Sequence, residues 1–134
     1  MEIPFVKEIC QLLATNSSGR FTFGSGNTNL KIGEIIRNVD GVYAIPVPTI
    51  APDKETEVEY YQIDFWRRCK DSATGYDDLQ FIQRYFHQKK HYETDNYQVY
   101  LSLATSQIQD LDRDAEGGKL LRTSIFFITR YLIS

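Results

Sequence analysis

Two segments of the chain carry hydrophobic residues at helical spacing. Between Ile3 and Leu13 the apolar positions recur three or four residues apart, which predicts an amphipathic helix. A second helix is predicted to begin at Thr74, where a hydroxyl residue is followed by Asp77 in the arrangement of a capping box. That helix is expected to run to about Lys89 and to bury Leu79, Ile82 and Phe86.

Other segments have the patterns of β-strands. Val42 to Val47 is apolar and is followed by prolines, and Glu57 to Trp66 alternates with period two. Tyr97 to Ala104 also alternates, and we expect one face of that strand to carry Tyr97, Val99, Leu101 and Leu103. The last strand, Leu120 to Ile133, is apolar on both faces around residues 125–128, which predicts a central position in a sheet.

The order of helix, strands, helix and strand pair favours one α+β domain over residues 1–134. We expect a mostly antiparallel β-sheet with two main helices packed on it. Two segments lack a periodic apolar pattern, at about residues 46–56 and 107–119. These are predicted to be mobile loops in the isolated subunit, because they have too few apolar residues to pack.

Composition and charge exclude several classes of protein. The chain has 134 residues and a net charge of −3, which disfavours a free DNA-binding or anionic-membrane-binding protein. We find no signal-peptide pattern and no apolar run of membrane-spanning length, so we expect synthesis in a cytoplasm with Cys10 and Cys69 reduced. Aromatic residues make up 13% of the chain, which is enough for one core and an interface.

Candidate catalytic and metal-binding residues do not form a complete set. His87 and His91 are spaced like a helical metal pair, but no third ligand is evident. The acids from Asp110 to Asp114 begin like a calcium loop, but Ala115 stands at its sixth position, where such loops have glycine. We therefore expect no catalytic residue, no metal and no cofactor, and a metal-dependent hydrolase built on these residues is the least favoured alternative.

A small basic cluster lies beside the single tryptophan. Arg67, Arg68 and Lys70 follow Trp66, an arrangement that is a weak indication of nucleic-acid binding. Acidic residues surround the cluster along the sequence, so we interpret it as part of a charge-balanced surface.

The order of several short motifs resembles a known family. The motifs are Leu30-Lys-Ile-Gly-Glu-Ile-Ile, Asn38-Val-Asp-Gly-Val-Tyr-Ala-Ile-Pro, Tyr61-Gln-Ile-Asp-Phe-Trp-Arg, an aromatic helix that begins near Tyr76, and Leu120-Leu-Arg-Thr-Ser-Ile-Phe-Phe-Ile. Over about residues 30 to 133 the chain resembles the tail-completion proteins of long-tailed siphophages, also called tail terminators, tail-to-head joining proteins or minor capsid proteins.

The resemblance implies an assembly protein of the virion rather than an enzyme. Such proteins cap the head-proximal end of the tail tube as a ring, usually of six, stop tube growth and join the tail to the head connector. The implied partners are other copies of the chain, the tail tube protein and the head connector, with no membrane and with DNA passing through unspecifically. The implied location is the tail–head joint, after assembly in the host bacterial cytoplasm. A protein-interaction module of another complex is the main alternative.

Two sets of residues are candidates for the contacts of such a ring. Tyr60 and Trp66 are predicted to project from the same strand face, and Tyr100 from another strand; each is a candidate interface residue, with burial under a helix as the alternative. A ring around DNA also predicts that the acids of one mobile loop face the channel. These acids are either Asp53, Glu55 and Glu57 or Asp110, Asp112, Asp114 and Glu116.

Overall fold

The computed structural model describes residues 4–49 and 57–132. Within these ranges the chain forms two helices, α1 (Pro4–Thr15) and α2 (Ser72–Phe86). The strands of the described ranges, in chain order, are β1 (Leu30–Ile32), β2 (Gly41–Val47), β3 (Val58–Cys69), β4 (Lys89–Glu93), β5 (Tyr97–Ala104), β6 (Gln109–Arg113) and β7 (Lys119–Tyr131).

All seven strands belong to one mostly antiparallel sheet with the order β1-β2-β3-β7-β5-β4, and β6 also pairs with β7. The β1–β2 pair is parallel and the other pairs are antiparallel. The predicted α+β fold with two helices is confirmed. The long last strand is central as predicted, because β3 lies on one side of β7 and both β5 and β6 lie on the other.

The core lies between the two helices and one face of the sheet. Phe5 of α1 packs edge-on against Phe127 of β7 with ring centroids 5.2 Å apart, and Phe86 of α2 packs against the same ring at 5.4 Å. One residue therefore ties both helices to the central strand. The other completely buried core residues include Ile9, Leu13, Leu30, Ile63, Phe65, Leu79, Ile82 and Ile125.

The opposite side of the sheet, here called the outer face, carries neither helix. Successive strand residues point to opposite faces, so Ile63 and Phe65 of β3 enter the core while Tyr60 and Trp66 lie on the outer face. The outer-face residues of β3 are not part of the buried core cluster. This face and the strand edges are the surfaces from which contacts with other molecules can be built.

Helix α2 begins earlier and ends earlier than its sequence pattern predicted. Asp71 is the N-cap: its carboxylate accepts a hydrogen bond from the backbone N–H of Ala73 at 3.1 Å. The predicted N-cap at Thr74 is wrong. Thr74 belongs to the first turn of the helix, and its hydroxyl donates to the Asp71 carboxylate at 3.0 Å. The helix ends at Phe86, because His87 has extended backbone angles.

The residues after α2 form a strand that the sequence pattern did not predict. Gln88 adopts a positive φ of 57°, and Lys89 then begins β4. Lys89 was expected at the end of the helix; its ammonium instead lies 4.9 Å from the ring centroid of Tyr85 and 5.2 Å from that of Tyr92. The left-handed Gln88 therefore turns the chain from the end of the helix, already set by the extended His87, into β4.

A β-bulge changes the predicted faces of β5. Its pairing with β7 shifts register between Val99 and Leu101. After the bulge Leu101 and Leu103 lie on the outer face, while Ser102 is fully buried and donates to the carbonyl of Phe86 at 2.6 Å. The prediction of one apolar face along the whole strand is wrong in its second half, because one extra residue reverses every side chain that follows.

The segment predicted as the loop 107–119 contains regular structure. Gln109–Arg113 forms β6 and pairs with the first residues of β7, so 109–119 is a hairpin that continues the sheet. Its pairing is irregular between Asp110 and Arg113. In the other predicted loop, β2 extends to Val47, and residues 50–56 lie outside the described part of the chain. The mobility of both segments in solution stays a prediction.

Candidate functional site

The outer face carries a strip of apolar side chains that crosses three strands. Strand pairing places Leu101 beside Ile128 and Leu103 beside Phe126. Tyr60 lies beside Ile128 on the other side, and its ring stacks on that of Phe126 at 5.9 Å with an interplanar angle of 16°. All five side chains are half-buried, and none belongs to the core cluster between sheet and helices. We call these five residues the apolar strip.

Two of the three predicted interface aromatics lie on this face. Tyr60 belongs to the apolar strip, and Trp66 lies further along the same strand, half-buried. The guanidinium of Arg122 lies 5.2 Å from the Trp66 ring centroid, and its Nε donates to Gln109 at 3.0 Å. The same-face prediction for Tyr60 and Trp66 is confirmed. Tyr100 is half-buried at the bulge of β5, where pairing with β7 shifts register.

A carboxylate lies between the apolar strip and Trp66. Asp64 accepts a hydrogen bond from the Ser124 hydroxyl at 2.6 Å and one from the Gln62 amide at 3.3 Å. Both of these donors are neutral. The outer face therefore combines an apolar half, made by the strip, with a polar half toward the ends of β3 and β7 that adjoin β6.

The predicted channel-facing acids of the second loop have partners within the hairpin and beside it. Asp110 pairs with Lys119 at 2.6 Å, and Glu116 pairs with Arg37 at 2.7 Å. Asp112 accepts the backbone N–H of Arg113 at 2.9 Å and forms no ion pair with a described residue. These acidic side chains therefore stabilise the conformation of the hairpin as well as giving it negative charge.

The first set of predicted acids is only partly described. Asp53 and Glu55 lie outside the described residues. Glu57 begins the turn into β3 with a positive φ of 59°, and its carboxylate lies 3.4 Å from the Arg130 guanidinium. The channel-facing role of either set stays a prediction.

The arginines beside Trp66 point to opposite sides of the sheet. Arg67 faces the helices, and its Nε donates to Asp78 of α2 at 3.0 Å. Arg68 faces outward, is only 4% exposed, and lies between Asp40 and Asp114. Both arginines are therefore charge-balanced, but by Asp78, Asp40 and Asp114 rather than by the acids nearby in sequence, and Arg68 is buried instead of lying on the predicted surface. The pairing of Arg68 could not be found from the sequence, since its partners lie 28 and 46 residues away.

The distances around Arg68 define an ion-paired cluster in which the guanidinium is buried and the Asp40 and Asp114 carboxylates reach solvent. Its Nη1 lies 2.5 Å from Asp40 and its Nε lies 2.7 Å from Asp114. The Asp114 carboxylate also accepts the backbone N–H groups of Glu116 and Gly118 at 3.0 and 2.8 Å. The Arg68 guanidinium, followed by these backbone donors, holds the pKa of Asp114 below its usual range.

The candidate metal residues do not come together. His87 caps α2, and its Nδ1 accepts the backbone N–H of Ala104 at 3.1 Å. His91 lies in β4 with a positive φ of 53°, so the two histidines do not share a helix face. Over residues 4–49 and 57–132, no three His, Cys, Asp or Glu side chains form a group that could hold a metal.

Two open pockets of the described chain lie along α2. One of about 590 Å³ is lined by Gln83, His87 and Ser106, and a second of about 520 Å³ is lined by Tyr76, Ile108 and other residues of the α2–β6 side. Two residues that line the first pocket are hydrogen-bonded to each other: the Gln83 amide donates to the Ser106 carbonyl at 3.0 Å.

No helix in the described ranges is long and apolar enough to cross a membrane.

The fold and its surfaces define a class: a small α+β sheet protein whose surface features are suited to contacts between proteins. Residues 29–131 match the family model described as bacteriophage tail terminator protein, and the chain therefore belongs to that family. Membership gives the chain a structural role in a phage tail, as a component of the virion. The family consists of structural proteins and is not a known enzyme family. No curated protein matches the chain.

Proposed function

We propose that this chain caps the head-proximal end of the tail tube as a ring, stops growth of the tube and joins the tail to the head connector. The family match supports this proposal at the level of the tail. The structural observation that supports it most is the apolar strip, because half-exposed apolar side chains that cross several strands are typical of protein–protein contact surfaces.

The ends of the sheet suit a closed ring. In the described chain β1 pairs only with β2, and β4 pairs only with β5, so the sheet ends in two different strands. A contact between two different edges is heterologous, and repeated heterologous contacts form a ring when the rotation between neighbouring copies closes. Following the family, we propose six copies.

The open strand edges are not equally available for pairing. At β1 the backbone N–H of Leu30 donates to the carbonyl of Thr22, which covers part of that edge. On β6 the side chains of Asp110 and Asp112 accept the N–H groups of the residues that follow, which blunts a second edge. We therefore propose that β4, which pairs with β5 alone in the described chain, is the edge most available to a neighbouring copy.

The proposed partners are the tail tube protein, the head connector and other copies of this chain, with DNA passing through the ring without specific binding. A chain of net charge −3 with a half-exposed strip is expected to remain monomeric until the tube end provides a template. The contact set that we propose for these partners is the apolar strip together with Trp66 and Tyr100.

Binding to isolated tubes tests this assignment. A tagged chain is mixed with purified tail tubes, and the tag is located by electron microscopy with a gold label. We expect label at one end of each tube, and none along its length. Label along the whole tube, or no label on any tube, would contradict the proposed cap.

A matched pair of tyrosine variants tests the role of the outer face. Tyr60→Gln changes the apolar strip, whereas Tyr76→Gln changes a tyrosine of α2 that is 46% exposed on the other side of the molecule. Both variants should fold, as judged by circular dichroism, and only Tyr60→Gln should lose labelling of the tube end. Equal binding by both variants would remove the strip from the proposed interface.

A further inference from the structure

The turn of the β6–β7 hairpin is attached to a distant part of the chain. Residues 114–118 form this turn, and residues 33–40 form the connection between β1 and β2. Arg68 of β3 lies between the two, with Asp40 on one side and Asp114 on the other. A second ion pair, Arg37–Glu116, joins the same two segments directly at 2.7 Å.

The hairpin turn fits closely around the arginine. At Gly118 an added Cβ would lie 2.4 Å from the Cζ of Arg68, so a side chain at this position displaces the guanidinium or the turn. The Asp114 carboxylate both accepts from Arg68 and closes the turn through the N–H of Gly118. The turn and the arginine are therefore positioned together.

Few apolar side chains attach the hairpin to the rest of the molecule; its attachments are backbone pairing with β7, the Arg122–Gln109 hydrogen bond and the ion pairs. In β6 the residues Gln109, Asp110, Asp112 and Arg113 are exposed, and Leu111 is half-buried. Three residue pairs join β6 to β7, and a shift of register between Asp110 and Arg113 interrupts the pairing. Because burial of apolar side chains is the main source of stability in folded chains, this hairpin depends more than other strands on its ion pairs.

We propose that Arg68 is a latch that fixes the β6–β7 hairpin against the β1–β2 connection, through its ion pairs with Asp114 of the hairpin turn and Asp40 of the connection. When the Asp114 ion pair is lost, the hairpin turn separates from the connection while the rest of the sheet stays paired. The latch is a property of the isolated chain and does not depend on the proposed ring function.

Two neighbouring acids provide matched variants for the latch. Asp114→Asn removes the charge that faces Arg68 but retains an oxygen that can accept the turn N–H groups. Asp112→Asn removes one charge from the same hairpin, and this residue contacts Arg113 only through the backbone N–H. Any difference between the two variants therefore reports the ion pair rather than the net charge.

Amide hydrogen exchange of the isolated chain tests the latch. Asp114→Asn should raise exchange of residues 109–118 by about tenfold over Asp112→Asn, while exchange within α2 stays unchanged. Salt at about 1 M should raise exchange of the same residues in the unsubstituted chain. Equal exchange in the two variants, or an equal rise in α2, would overturn the latch.

A glycine variant keeps the test decisive if Asp114→Asn does not fold. Gly118→Ala leaves every charge in place but brings a methyl group against the guanidinium. It should raise exchange in residues 109–118 selectively, and unchanged exchange there would contradict the close fit on which the latch depends.

Discussion

Phe126 and Phe127 are adjacent on the central strand β7, but their side chains lie on opposite faces of the sheet. Phe127 is fully buried between Phe5 of α1 and Phe86 of α2. Phe126 is half-buried in the apolar strip, stacked on Tyr60. Replacing each with alanine removes the same group from the same strand, so the pair compares the core directly with the outer face.

The two substitutions should differ clearly in the isolated chain. Phe127→Ala removes a ring from a filled core, which typically lowers the free energy of unfolding by about 3–5 kcal/mol. Phe126→Ala removes a partly exposed ring and one aromatic pair, for which we expect a loss of about 1–2 kcal/mol. A domain of this size has a total stability of roughly 7–20 kcal/mol, so both variants should remain folded in dilute buffer.

Urea unfolding followed by tryptophan fluorescence and by far-ultraviolet circular dichroism measures both losses. The slopes of the two transitions should match that of the unsubstituted chain, so that midpoints report stability alone. Equal losses for the two variants would refute the account, because Phe126 would then lie in a filled core rather than on an uncovered face. Binding to tube ends should show the reverse order, with Phe126→Ala the more defective of the two folded proteins.

The remaining predictions concern charge, acid and thiols. Asp112→Lys should slow DNA ejection from assembled particles if the hairpin faces the channel, since a new cation contacts phosphate without breaking an ion pair; unchanged ejection would give this acid a role in solubility. Asp110 and Asp114 have lowered pKa values in the folded chain. Their ionised carboxylates therefore contribute their full stability above the unfolded carboxyl pKa of about 3.9, and this contribution is lost as the pH falls below that value. Asp114→Asn should flatten the acid limb of a stability–pH curve. Burial raises the pKa of Cys10 to about 12 and raises that of Cys69, so neither thiol should react with a disulfide reagent until the chain is unfolded by urea.

Patterns that depend on local sequence predicted most of the fold. The period of β3 placed Ile63 and Phe65 on one face, which the structure buries in the core. The apolar run around residues 125–128 identified the central strand, because burial on both faces leaves a continuous apolar run. The spacing of Val6, Ile9 and Leu13 likewise gave α1, all three being buried. In each case the neighbours in sequence carry enough information to fix the element.

Features that depend on one backbone residue or on distant pairing were not predictable in this way. A single bulge in β5 moved Leu101 and Leu103 to the outer face, and no composition signal marks its position. The left-handed Gln88 turns the chain from the end of α2 into β4, although its type does not favour that conformation. Strand β6 is polar, and it forms because β7 supplies a partner.

The candidate surfaces likewise include one feature that local sequence predicts and one that depends on contacts between distant segments. The shared face of Tyr60 and Trp66 follows from period two alone and was predictable. The latch needed the structure, because Arg68 contacts Asp40 and Asp114 from segments that are remote in sequence. Without that contact, the acids of the hairpin were expected to be charges of a mobile loop rather than parts of an ion-paired turn.

Infection with a phage that carries a nonsense codon early in this gene tests the central claim most directly. Particles from a host that does not suppress the codon are examined by electron microscopy. The account predicts DNA-filled heads and separate tails, with tubes that are overlong or unattached, and restoration of joined particles when the chain is supplied from a plasmid. Intact particles of normal tail length without the chain would contradict the account.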